Sequence, residues 1–263
     1  MVDALELSME NPTFVWLLFL TTCQIFTQVV ASKRGPFVSD PALFAHQVCA
    51  FFATCAIGGY GTYYWYTEAN DVHDRLYDVM VGAPVVTHIN LAFQIFDFFA
   101  TLLIADLRKP EMVVHHTLAV LLAFFVLRDA YGHYYACFFL GMTEVSAIPL
   151  CIVDVFKHFR GFAAQHDGIN TLMRVLFAFS FLIIRGIYWP TVSYRYFMDT
   201  AACLQKGTCH NNAMAIFFSV SNVLLTLLQW YWASLIVRAL VKMAKSGNNV
   251  KKDVESSKDT KAN

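Results

Sequence analysis

Charged residues are scarce in this chain, and their scarcity excludes an ordinary soluble domain. Only 14% of the 263 residues are Asp, Glu, Lys or Arg, whereas 57% are hydrophobic. The mean hydropathy is +0.50. A soluble domain carries nearer a quarter charged residues. The formal net charge is zero, so nothing indicates a nucleic-acid partner. The composition therefore predicts an integral membrane protein without a soluble catalytic domain.

The segment before the first apolar run has no Lys or Arg and instead carries Asp3, Glu6 and Glu10. A cleaved secretory signal begins with a positively charged region. We therefore expect the first apolar run to remain in the protein as a membrane span.

Seven apolar stretches are long enough to cross a bilayer, which takes roughly 20 mostly apolar residues. The predicted spans are 14–31, 43–65, 84–105, 111–127, 132–155, 172–198 and 213–241. The predicted fold class is an all-α polytopic membrane protein. We divide it into an N-terminal segment with the first span (1–39), a membrane domain (40–241) and a tail (242–263). The tail is polar, rich in Lys and Ser and free of aromatic residues, which predicts disorder.

Lys and Arg are divided unequally between the two sides of the predicted bundle. Twelve lie on one side: Lys33, Arg34, Arg108, Lys109, Lys157, Arg160, Lys242, Lys245, Lys251, Lys252, Lys258 and Lys261. Three lie on the other: Arg75, Arg128 and Lys206. Because Lys and Arg accumulate in cytoplasmic segments, we expect a cytosolic C-terminus and an N-terminus in the lumen or outside the cell.

Polar residues recur at helical spacing in two spans. The third span has Asn90, Gln94, Asp97 and Thr101, and the seventh has Ser219, Asn222, Thr226 and Gln229. Such residues either hydrogen-bond neighbouring helices or line a cavity. Together with Arg185 of the sixth span, the candidate substrate-binding residues are Asn90, Gln94, Asn222 and Gln229. Arg185, Tyr188 and Arg195 are predicted to share a face, and Pro149 predicts a kink in the fifth span.

Ionisable side chains inside spans are costly and usually face a bundle interior or a cavity. At a rise of 1.5 Å per residue, those of this chain lie roughly 8 to 20 Å from the cytosolic ends of their spans. One polar cavity open to the cytosol would accommodate them. Imidazole suits a general base or a nucleophile, although two adjacent histidines point about 100° apart. The candidate catalytic residues are His115, His116, Glu144 and Asp97; the alternative is a structural role for each.

Cys203 and Cys209 lie in the predicted loop between the last two spans, on the side where disulfides persist. The five residues between them include Gly207, which eases a short turn. We expect a disulfide here, with two free thiols as the alternative. The other five cysteines fall within spans and are expected to pack as small apolar residues.

The ordered motifs resemble the TLC domain, named after translocon-associated, longevity-assurance and neuronal-ceroid-lipofuscinosis proteins. They are His115-His116 at the start of one span, the segment from Gly141 to Pro149 (GMTEVSAIP) in the next, and the segment from Arg185 to Pro190 (RGIYWP). Asp97 also fits a polar family position. The resemblance covers roughly residues 40–241. It implies a six-helix membrane barrel around a lipid-accessible cavity, with the first span as an addition.

Ceramide synthases of this family transfer acyl groups from acyl-CoA to sphingoid bases. This chain keeps their histidine pair, but it has Ala119 where they have Thr, and no His-Asp accompanies Glu144. The resemblance is therefore nearer to the TLC-domain-containing branch, which is associated with membrane lipid composition. It implies a lipid partner, acyl-CoA as co-substrate only if the chain is an acyltransferase, and no other cofactor. The expected compartment is the endoplasmic reticulum, with the plasma membrane as the alternative; a homo-oligomer is possible.

Other membrane-protein classes fit less well. A membrane desaturase needs several His clusters, and a retinal protein needs a Lys in a late span; neither is present. No zinc-type Cys/His spacing occurs, so no metal is expected. A seven-helix receptor agrees with the span count alone. The leading interpretation is a lipid-binding or lipid-modifying protein of membrane lipid homeostasis. Its alternatives are an acyl-CoA-dependent N-acyltransferase and a non-catalytic lipid sensor or trafficking adaptor.

Overall fold

The computed structural model describes the backbone of residues 9–259 and the side chains of residues 9–242. Within these residues it contains helices and no strands, and seven helices are long and apolar enough to cross a membrane. They are α1 (Pro12–Ala31), α2 (Pro41–Thr67), α3 (Gly82–Leu103), α4 (Pro110–Asp129), α5 (His133–His158), α6 (Asp167–Lys206) and α7 (Asn212–Asp259, apolar as far as Lys242). The predicted all-α fold with seven spans is confirmed. The predicted disordered tail lies almost entirely outside the residues whose side chains are described.

Proline begins three of these helices. Pro12, Pro41 and Pro110 each occupy the first turn, where the missing amide N–H costs no intrahelical hydrogen bond. The residue before Pro12 accepts from the Thr13 amide at 3.0 Å, and Asp40 accepts from the Leu43 amide at 3.0 Å. These caps satisfy amides that have no partner within the helix.

Two connections differ from the sequence prediction. The sixth span was predicted to end at residue 198, but α6 continues to Lys206. The residue after it, Gly207, caps the helix with a φ of +65°. Arg128 and Asp129 were predicted as a loop, but they form the last turn of α4. Both helices end where a residue adopts the left-handed conformation, Gly207 after α6 and Ala130 after α4. Glycine favours that conformation at a helix end.

Six of the helices form a ring. Going around it, α2 contacts α3, α3 contacts α4, α4 contacts α7, α7 contacts α6, α6 contacts α5, and α5 returns to α2. α1 packs outside the ring against α2 and α3. Two polar contacts attach it: Thr13 Oγ1 lies 2.7 Å from His88 Nδ1, and Gln24 donates to the Ala42 carbonyl at 3.0 Å. This arrangement agrees with the predicted six-helix barrel and additional first span.

Glycines of α2 and α5 form a close helix crossing in the ring. A Cβ atom on Gly61 would lie 2.4 Å from the Cα of Gly141, and one on Gly58 would lie 2.9 Å from the Val145 amide nitrogen. No larger side chain fits without moving the backbone. Small residues at such crossings let membrane helices approach closely, which is the main source of their packing energy.

α5 and α6 each contain an irregular segment. In α5, residues Cys137–Gly141 are π-helical and Met142–Ser146 are 3₁₀-helical; in α6, Leu182–Tyr188 are π-helical. The irregularity in α5 precedes Pro149, which lies in the first turn of the regular helix Ala147–His158. The predicted kink at Pro149 stays a prediction; the structure places the irregular segment directly before the helical turn that contains this proline. Such π-helical turns are frequent at functional sites.

The predicted shared face of the sixth span is only partly correct. Arg185 is buried and Tyr188 is half-buried, but Arg195 is exposed. Ten positions at 3.6 residues per turn place Arg195 about 80° from Arg185 even in a regular helix. The buried face continues instead through Trp189, Val192 and Tyr196.

Candidate functional site

The ring encloses a cavity of about 330 Å³, within the range of small-molecule binding sites. One end of the bundle, at which α1, α3 and α5 end, carries six basic residues: Lys33, Arg34, Arg108, Lys109, Lys157 and Arg160. We call this end the basic side. The wall of the cavity reaches this side at Asp106, Lys109 and Lys157. The cavity therefore connects the interior of the ring with the basic side.

Asp97 of α3 connects two histidines in the cavity wall. The Nε2 atom of His46, in α2, donates to Asp97 Oδ1 at 2.5 Å. His116 Nε2, in α4, lies 3.3 Å from Asp97 Oδ2, at ion-pair distance but without hydrogen-bond geometry. His116 Nδ1 lies 2.8 Å from the amide oxygen of Gln94, which only accepts, so this nitrogen carries the proton in the orientation assigned to the amide. All four residues are buried, and their contacts hold the His116 ring in one orientation.

His115 is held differently from its neighbour. It is half-buried and lines the cavity, and neither of its ring nitrogens has a hydrogen-bond partner within the described part of the chain. Its ring packs edge-on against Trp232 of α7, with centroids 5.5 Å apart. Because its Nδ1 is buried, contact with a ligand is expected through Nε2. The geometry therefore separates the pair, with His116 fixed by neighbours and His115 free to react or bind.

Arg185 forms a buried ion pair with Glu144 at the inner end of the cavity. Its Nη2 donates to Glu144 Oε1 at 3.0 Å and its Nε to Ser146 Oγ at 2.8 Å. These residues belong to the irregular segments of α5 and α6, whose altered register brings them together. Glu144, predicted as a catalytic residue, contacts Arg185 and forms no hydrogen bond with a histidine within the described residues. A buried pair of this kind gains little net stability, because both charges lose their hydration.

Three predicted substrate-binding residues lie outside the wall of this cavity. Asn90 donates to the Leu140 carbonyl at 2.9 Å, in the π-helical turn of α5, and so connects helices. Asn222 borders a separate, mainly apolar cavity of about 60 Å³ near the other end of the ring. Gln229 is fully buried, and both of its amide atoms lack partners among the described residues. Only Gln94 and Arg185 of that predicted set reach the larger cavity.

Several wall residues were not identified from the sequence. His46 stands alone near the start of α2, and its only signal was an ionisable residue inside an apolar span. Asp154, Lys157 and His158 lie at the end of α5, where charges are expected at a membrane surface in any case. Within the described residues, no group of three or more His, Cys, Asp or Glu side chains is arranged to hold a metal ion.

At the other end of the bundle, charged side chains pair directly with each other. Arg75 donates to both oxygens of Asp199, at 2.7 and 2.6 Å, and the Tyr135 hydroxyl also donates to Asp199. This pairing raises the pKa of Arg75 above its ordinary value. A disulfide connects Cys203 with Cys209, whose Cα atoms are 5.2 Å apart. We call this group (Arg75, Tyr135, Asp199, Cys203 and Cys209) the closed cap.

The comparisons with known proteins agree with this architecture. A search of curated proteins finds no match to the sequence. A protein-family model described as "TLC domain" matches residues 43–238, which extend from the first turn of α2 into α7. The match therefore includes all six helices of the ring and excludes α1. It covers most of the chain, so this protein belongs to the TLC-domain family.

Proposed function

We propose that the chain binds a membrane lipid in the 330 Å³ cavity and acts on lipid composition as a lipid-binding or lipid-modifying member of its family. The observation that carries this proposal is a ring of helices apolar enough to span a membrane, around a cavity lined by histidines among apolar residues that extends to the basic side. A lipid is the ligand that offers an apolar part to the ring and a polar part to the cavity. The lack of a His-Asp beside Glu144 supports a place nearer the TLC-domain-containing branch than the ceramide synthases.

Acyl transfer is the reaction that the unpartnered His115 favours as a second candidate. In that reaction a ring nitrogen of His115 attacks the thioester carbonyl of acyl-CoA, forming a C–N bond while the C–S bond breaks and CoA leaves as the thiolate. An amine then attacks the acyl-imidazole and takes the acyl group as the C–N bond to the ring breaks; its proton passes to the CoA thiolate, and the neutral ring is regenerated. Asp97 and Gln94 fix His116 beside it, and the Arg185–Glu144 pair lines the same cavity.

The orientation in the membrane follows from the unequal distribution of Lys and Arg. We propose that the basic side faces the cytosol and the closed cap faces the lumen of the endoplasmic reticulum, with the plasma membrane as the alternative. The cavity would then open to the compartment that supplies acyl-CoA. A tag after Asn263 should be digested by protease added to sealed vesicles, and a tag before Met1 should be protected. Protection of the C-terminal tag would contradict the orientation.

Replacement of His115 tests the proposed function. His115→Ala, expressed in cells that lack the natural protein, should fold like the original but fail to restore membrane lipid composition. Thr117→Ala is the control, because Thr117 is exposed and bonds only to the carbonyl of its own helix at Val113. A normal lipid profile with His115→Ala would contradict a role for this side chain in the function.

Labelled acyl-CoA and sphingoid base added to the purified protein separate the two candidates. Formation of an N-acyl product that depends on His115 would support acyl transfer. Lipid retention without product would favour a sensor or trafficking adaptor that uses the same cavity.

A further inference from the structure

We propose that the cavity selects a zwitterionic phospholipid, whose headgroup carries one negative and one positive charge. This inference depends on the proposed function, since it identifies which lipid class occupies the cavity. It is based on charged side chains that line the mouth of the cavity, where its wall reaches the basic side, and that form no ion pair within the described residues.

Asp154 is the first of these charges. It lies one turn before the end of α5, is half-buried, and lines the cavity. Its carboxylate has no hydrogen bond and no ion pair within 4 Å in the part of the chain described, although the backbone carbonyl of the same residue contacts His158. Lys109, Lys157, His158 and His46 nevertheless influence it electrostatically. Lys109 and Lys157 thus line the same cavity wall as Asp154 without forming an ion pair with it.

Lys109 and Lys157 provide the opposite charge. Both are exposed, both line the mouth, and neither forms an ion pair with a described residue. They come from different helices, since Lys109 precedes α4 and Lys157 belongs to the last turn of α5. Lysine ammonium groups are common ligands of phosphate. Asp106, exposed on the same rim, adds a second unpaired carboxylate.

The deeper charges of the cavity do not offer such a site, because they are already paired. Arg185 is bonded to Glu144, and Asp97 is bonded to His46. A headgroup is therefore expected to bind at the mouth, with its phosphate near the lysines and its ammonium near Asp154. A headgroup with only one charge compensates either the lysines or the Asp154 carboxylate but not both, and a neutral headgroup compensates neither group. This difference is the basis of the expected selectivity.

A competition experiment with the purified full chain tests the inference. The detergent-solubilised protein is offered an equimolar mixture of sphingosine and of phosphatidylethanolamine, phosphatidate and diacylglycerol, the last three with matched acyl chains. It is then washed, and the retained lipids are quantified by mass spectrometry. We expect phosphatidylethanolamine to be retained about tenfold over each of the others, equivalent to about 1.4 kcal/mol. Soluble glycerophosphoethanolamine at the same concentration should not displace it.

Two variants assign the selectivity to the named charges. Asp154→Asn should shift retention towards phosphatidate, and the double variant Lys109→Gln, Lys157→Gln should shift it towards sphingosine. Asp71→Asn and Lys206→Gln are controls, because both residues are exposed and belong to the opposite end of the bundle.

The outcomes separate this inference from the proposed function. Equal retention of all four lipids, or unchanged preference in Asp154→Asn, would overturn the headgroup inference and leave lipid binding in place. Displacement by the soluble headgroup would overturn the assignment to a lipid. Retention of no lipid at all would overturn both proposals.

Discussion

The two ends of the helix ring use polar residues in opposite ways. In the closed cap, Arg75, Asp199 and Tyr135 satisfy one another directly. Near the basic side, the polar groups line a cavity of about 330 Å³, and His115 and Asp154 have no side-chain hydrogen bond within the described residues. Polar groups that pair with each other stabilise the bundle, whereas polar groups left around a cavity are available to a ligand.

The difference explains why neither polarity nor burial alone identifies the site. Asp199 and Asp97 are both carboxylates in contact with more than one side chain, yet only Asp97 borders the larger cavity. We therefore expect substitutions in the closed end to change stability. Substitutions of the unpaired side chains around the cavity, such as His115 and Asp154, should change ligand binding with little effect on stability.

The largest loss of stability is expected at the glycine crossing, which lies towards the closed end. Gly61→Val would place side-chain atoms where the backbone of Gly141 now lies, since even a Cβ would be 2.4 Å from its Cα. Overpacking typically costs about 1–3 kcal/mol and more when backbone must move. The variant should give little monodisperse protein on size-exclusion chromatography. Gly59→Val, two positions away with nothing within 4 Å of its Cβ, should behave like the original chain. Equal yields of the two variants would contradict the crossing.

Loss of the Cys203–Cys209 disulfide should have the next largest effect. The double variant Cys203→Ser, Cys209→Ser should unfold at a lower temperature in detergent and lose about 2 kcal/mol of its free energy of unfolding. The loss is modest because a short closed loop restricts the unfolded chain less than a long one. Mass spectrometry of the unreduced, alkylated original chain gives an independent check. Alkylation of both cysteines without reductant would contradict the disulfide and also weaken the lumenal assignment of this end.

Asp199→Asn should have a smaller effect on stability. The amide keeps the shape of the side chain but loses the charge that accepts from Arg75 and Tyr135. Because the Arg75 side chain is 41% exposed, water compensates part of the loss, and we expect about 1 kcal/mol. Thermal unfolding against the Asp71→Asn control measures it. Lipid retention should remain unchanged. A loss of bound lipid without a loss of stability would contradict the expectation that the closed cap affects stability and not ligand binding.

Helix number and type could be predicted from the sequence, because long apolar runs have few alternatives in a bilayer. The stripe Asn90, Gln94, Asp97 and Thr101 was also correctly predicted to face inward. Which members reach the cavity could not be predicted. Asn90 is one turn from Gln94, yet it meets a carbonyl in the π-helical turn of α5, an irregularity that apolar periodicity does not reveal.

The sequence also could not predict which side chain each charged residue inside the bundle contacts. His46 and Asp97 are 51 positions apart, and Glu144 and Arg185 are 41 apart. Their pairing depends on how α2, α3, α5 and α6 are arranged in the ring. The irregular segments of α5 and α6 add to this, because they change the direction in which Glu144 and Arg185 point. Spacing within a helix defines a face but not the helix that it contacts.

Filling the cavity with a larger side chain is the most direct test of whether lipid binds in the cavity itself. Ala147 lines the cavity, so Ala147→Phe should occupy its space, whereas Ala201→Phe adds the same side chain at an exposed position of α6. Native mass spectrometry of the purified proteins should detect co-bound lipid on the original chain and on Ala201→Phe, but not on Ala147→Phe. Lipid bound to Ala147→Phe at the same occupancy as to the original chain would contradict lipid binding in the cavity.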